Sequence, residues 1–69
     1  MFLINTAGPQ AHALEEWREA ARVVSQRWAV FLDAEPVTRS WAFASYVAAL
    51  DAEQAAATEL AALPFRMVA

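Results

Sequence analysis

Between Trp41 and Leu63 the chain runs through an alanine-rich stretch containing neither glycine nor proline, and every feature of it favours helix. At ~100° per residue, Phe43, Val47, Leu50, Ala57 and Ala61 fall on one stripe. Ala42, Tyr46, Ala49, Ala56, Leu60 and Leu63 widen that stripe to roughly half the cylinder, beyond the ~100° band of an ordinary surface helix. Trp41, Ala44, Ala48, Ala52 and Ala55 add apolar surface on the far side, interrupted mainly by Asp51, Glu53 and Glu59. A single neighbouring helix cannot cover so much apolar surface, so the fold must offer this segment more than one partner.

The first half offers one. Leu14, Trp17, Ala21, Val24, Trp28 and Phe31 recur with spacings of 3, 4, 3, 4 and 3, a heptad seam expected of a helix packed lengthwise on another. Gly8-Pro9 is read as the start of this helix, because proline suits the first helical position. Asp33-Ala34-Glu35-Pro36 ends it. Pro36 disfavours helical geometry at Glu35 and can itself open the next helix, with Asp33, Glu35 and Thr38 as candidate caps. A break this short joins antiparallel neighbours. The reading is therefore all-α: an antiparallel hairpin of two long helices, about 9–33 and 36–63, in a single domain. Phe31 and Trp28 are expected near Phe43 and Val47, and Trp17 and Leu14 near Ala57, Leu60 and Ala61. Gln54 stands at a break in the second stripe, as a register-setting polar residue or an edge residue. The apolar ends, residues 1–8 and 64–69, are expected to pair as a short ribbon, plug the open end of the bundle or bind a partner.

At 69 residues a lone core is marginal, and without cysteine neither disulfides nor thiolate metal sites can compensate. Oligomerisation is the remaining common remedy. Two hairpins related by a two-fold axis would form a four-helix bundle. The expected interface comprises Tyr46, Ala49, Glu53, Ala56, Leu60, Leu63 and Trp41, together with Val23 and Val30 on the back of the first helix. The partner expected is a second copy, most simply in an obligate homodimer, and the apolar tails are a candidate contact for a larger protein.

Composition narrows the function classes. Hydrophobic residues make up 59% of the chain, but alanine inflates that figure, and no charge-free run approaches the ~20 apolar residues that span a bilayer. The short Phe2-Leu3-Ile4 start lacks the basic flank of a secretion signal, so the expected location is the cytoplasm, in keeping with the absence of cysteine. The five basic residues are all arginine, are dispersed, and face eight carboxylates for a net charge of −3. Clustered cations that would bind nucleic-acid phosphate are missing. Abundant alanine and arginine without lysine suggest a GC-rich bacterial or phage genome.

His12, Glu15, Glu16 and Glu19 form the one cluster with metal-ligand chemistry, since di-iron and di-manganese bundles use carboxylates and Glu-x-x-His pairs. Here the order is reversed, and the helical wheel turns the cluster away from the Trp17/Val24/Trp28 seam. Exposed Glu15–Arg18 and Glu19–Arg22 pairs are the plainer expectation, and neither a metal nor another cofactor is expected. The hydroxyls of Ser25, Ser40 and Ser45 lie far along the chain from the sole histidine, and Gly8 is the lone glycine, so neither a nucleophile–base pair nor a phosphate-cradling loop is expected. Trp17, Trp28 and Trp41 could line a ligand slot, but aromatics at heptad spacing are ordinarily core. The functional expectation is a small cytosolic interaction module without intrinsic catalysis. An accessory subunit of a larger enzyme complex and a carboxylate/His metal bundle are the alternatives.

Overall fold

A computed structural model describes residues 3–63, with side chains described from Gly8 onward. Two α-helices, α1 (Leu3–Leu32) and α2 (Pro36–Ala62), pack against each other along their length, and the described residues contain no strand. The two rods form a single layer, 54 × 21 × 13 Å overall, thin enough that nearly every side chain reaches solvent. Among the described residues only Ala13, Ala42 and Ala49 are buried, and no large side chain is.

The connection between the helices is three residues long, as expected, and satisfies its own backbone. The Asp33 N–H donates to the carbonyls of Ala29 and Val30, both at 3.2 Å, and the Ala34 N–H to that of Phe31 at 3.2 Å. Glu35 takes an extended conformation before Pro36, which sits in the first turn of α2. The helix opens without a side-chain cap. Instead the Thr38 N–H and Oγ1–H both reach the Glu35 carbonyl, at 3.0 and 3.3 Å, and Arg39 Nη2 donates to the Ala34 carbonyl at 3.3 Å. At the other end Leu63 is extended, as the residue before Pro64 must be, and its N–H bonds to the Leu60 carbonyl.

Two expectations require correction. The first concerns the start of α1, which lies at Leu3, six residues ahead of Pro9. Pro9 falls inside the helix and leaves one carbonyl without its N–H partner. Gly8 takes no left-handed conformation that would break the helix. Residues 3–8 are thus helical rather than a strand of a ribbon, and residues 1, 2 and 64–69 lie outside the described part.

The second correction concerns how α2 is rotated about its axis. Phe43 and Val47 were expected at the centre of the α1 contact, yet both lie at its edge, 48% and 38% exposed, with Phe43 still reaching Phe31. The side turned toward α1 is centred on Ala42, Ala49, Ala56 and Leu60, all buried or half-buried, with Leu63 at one margin and half-buried Tyr46, Glu53, Leu50 and Ala57 at the other. Alanine there opposes Trp17, Val24 and Phe31, half-buried on α1, and lets the backbones approach while large side chains fill the remaining space. The α1 seam is otherwise as read, although Trp28 stays partly exposed. Near the turn the aromatics interlock: Phe31 meets Phe43 at 5.5 Å between ring centroids, as expected, and Trp28 meets Tyr46 at 4.9 Å. Gln54 is exposed at the edge of the hairpin.

Candidate functional site

Near the open end of the hairpin, α1 carries His12, Glu15, Glu16 and Glu19, all exposed. Helical spacing sets each beside a local partner. His12 Nε2 lies 3.1 Å from Glu16 Oε2, Arg18 Nη1 is 3.4 Å from Glu15 Oε2, and Arg22 Nη2 binds both Glu19 oxygens at 2.7 and 2.6 Å. The two glutamate–arginine pairs are those the sequence suggests. The hydrogen bonds that Arg22 donates to Glu19, with the charge of that carboxylate, raise the Arg22 pKa above the ordinary arginine value. Exposed pairs of this kind add little stability.

An open groove of about 620 Å³ lies between the helices here, floored by Ala20, Ala52, Ala55 and Ala56 and edged by the α1 cluster and Glu59. Glu59 is the residue sequence reading missed. The hairpin register brings it level with Glu15 and Glu16, a signal available once the turn is placed. Even so, no three histidine, aspartate or glutamate side chains among the described residues are arranged to hold a metal ion. The hydroxyls bond elsewhere or stand apart: Thr58 Oγ1 donates to the Gln54 carbonyl at 2.9 Å. Nor do the tryptophans gather into a slot. Trp17 and Trp28 are separated by roughly 16 Å along α1, and Trp41 is 67% exposed on the outside of α2.

The residues expected at an interface divide between two places. Tyr46, Ala49, Glu53, Ala56, Leu60 and Leu63 lie along the contact between α1 and α2, with Val23 half-buried beside it. Trp41 and Val30 are exposed. The large apolar side chains left in water are Trp28, Val30, Leu32, Val37, Trp41, Phe43 and Val47, every one in the half of the hairpin nearest the turn. Helical geometry sorts them onto two flanks of the layer. Trp28, Leu32, Phe43 and Val47 share one flank with Leu50, while Trp41 and Val30 share the other with the alanine-floored groove. Sequence reading missed Leu32 and Val37, whose exposure depends on the rotation of each helix at the turn. None of the described helices is long and apolar enough to cross a membrane. No protein-family model matches the chain, and no curated protein or solved structure matches it.

Proposed function

We propose that this chain is a small interaction module that acts as a homodimer, two hairpins closing into a four-helix bundle, and that it performs no catalysis of its own. The observation carrying this reading is the distribution of burial. Three alanines are the only buried residues described, while seven large apolar side chains crowd the turn half in solvent. A soluble monomer rarely shows a contiguous apolar patch above a few hundred Å², and a second copy would cover the surface by the same lengthwise helix packing that builds the hairpin. The interaction role belongs to the cytoplasm, the compartment its cysteine-free composition suggests.

Light scattering on the purified chain tests this. The expected mass is twice 7.6 kDa at tens of micromolar, and a compact, well-folded monomer at that concentration would refute it. A second reading, an accessory subunit in a larger assembly, has one observation in its favour: apolar side chains stand on both flanks of the layer, so covering one flank leaves the other open. Insolubility relieved only by a co-expressed neighbour would favour it.

A further inference from the structure

The flank carrying Trp28, Phe43 and Val47 also carries a charge pattern that the hairpin leaves unsatisfied. Arg39, Tyr46 and Glu53 are spaced by seven residues and so lie on one line along α2. Glu53 is half-buried beside the α1 contact, yet no cation or donor pairs with it among the described residues. Arg39 reaches the Ala34 carbonyl but no carboxylate. The cation and the anion stand equally far on either side of Tyr46, which makes the line complementary to its own reversed copy.

We infer that this flank is the face of a two-fold antiparallel dimer centred near Tyr46, in which Arg39 of each copy pairs with Glu53 of the other. The inference rests on the homodimer reading above and specifies its face and register. The apolar residues obey the same symmetry. Their best centre lies half a residue further on, between Tyr46 and Val47, a register difference of roughly 1.5 Å that the long Arg39 and Glu53 side chains span: Phe43 of one copy then meets Leu50 of the other, Tyr46 meets Val47, and Trp28 lies close to its own counterpart. A parallel arrangement would set Glu53 level with Glu53 and Arg39 level with Arg39, which like-charge repulsion opposes. Antiparallel overlap runs from Pro36 to about Ala56, roughly 30 Å of helix. Across the 21 Å width of the layer this covers roughly 650 Å² on each copy, within the range of standard-size interfaces. The acidic groove opens on the opposite flank, so its carboxylates stay in water. Trp41, Val30 and Val37 remain outward and free for a different protein.

Charge reversal in the full-length chain tests the pairing. Arg39→Glu and Glu53→Arg are each expected to raise the dimer dissociation constant at least about tenfold. An equimolar mixture of the two restores the two-chain mass, because each carries the charges the other lacks, and the double variant restores it as well. Since Glu53→Arg sits near the α1 contact and could unfold, cysteine trapping gives an independent reading. Under mild oxidation Val47→Cys should form a symmetric disulfide, and Ala48→Cys, adjacent in sequence but on the opposite flank, should not. Single charge variants that dimerise like the wild type, a mixture without gain, or cross-linking at position 48 instead of 47 would overturn this register while leaving the homodimer intact. A monomeric wild type would instead remove the homodimer itself.

Discussion

Ala42→Leu examines the rotation of α2, on which every surface assignment depends. Ala42 is 1% exposed, the most buried residue described, and stands close to a three-residue turn whose hydrogen bonds hold the helix ends together. An isopropyl group added there has no space to occupy, and the turn prevents the helices from separating to make room. Overpacking of this kind costs about 1–3 kcal/mol. For a chain of this size each kcal/mol lowers the melting temperature by roughly 4–8 °C, so a cost near 2 kcal/mol predicts a fall of roughly 8–16 °C. Ala44→Leu is the internal control, because it makes the same exchange two residues further on at an exposed position, where the change should remain within ~0.5 kcal/mol. Thermal melts followed by circular dichroism at a fixed chain concentration would measure both. Equal melting of the two variants, or greater loss in Ala44→Leu, would show that the side of α2 assigned to the α1 contact is wrong.

Other expectations concern the ends and the surface. At Gly8 an added Cβ would meet nothing within 4 Å, so Gly8→Ala should stabilise α1 by about 0.5–1 kcal/mol. Pro9→Ala should add helical ellipticity and further stability by restoring a backbone N–H inside the helix; a loss of helicity would place the true start of α1 near Pro9. Glu19→Gln removes the best-formed ion pair, yet its exposure predicts little change in stability, and none in high salt. A larger, salt-insensitive effect in a urea melt would show that Glu19 acts beyond its bond to Arg22.

Parts of this architecture were legible in particular residues. The heptad from Leu14 to Phe31 specifies a helix packed lengthwise, because only a partner helix rewards that spacing. Pro36 and the polar residues before it mark the turn, since Glu35 cannot stay helical ahead of proline. The Glu15–Arg18 and Glu19–Arg22 pairs followed from helical spacing alone. The start of α1 was misread because Gly8-Pro9 resembles a helix boundary. Glu59 escaped notice because its place on the groove depends on the hairpin register, which no local pattern in α2 contains.

The primary structure by itself determined two helices, their lengths within a few residues except at the N-terminus, their antiparallel order and an excess of apolar surface over what two rods can hide. Only the tertiary structure decided which stripe of α2 turns inward. Periodicity could not make that choice, because the Phe43/Val47/Leu50 stripe and the Ala42/Ala49/Ala56 stripe lie side by side on one helix and both are apolar. Close packing made it: alanine against Trp17, Val24 and Phe31 brings the backbones together, and that choice turns Phe43 and Val47 out beside Trp28, where a second molecule can cover them.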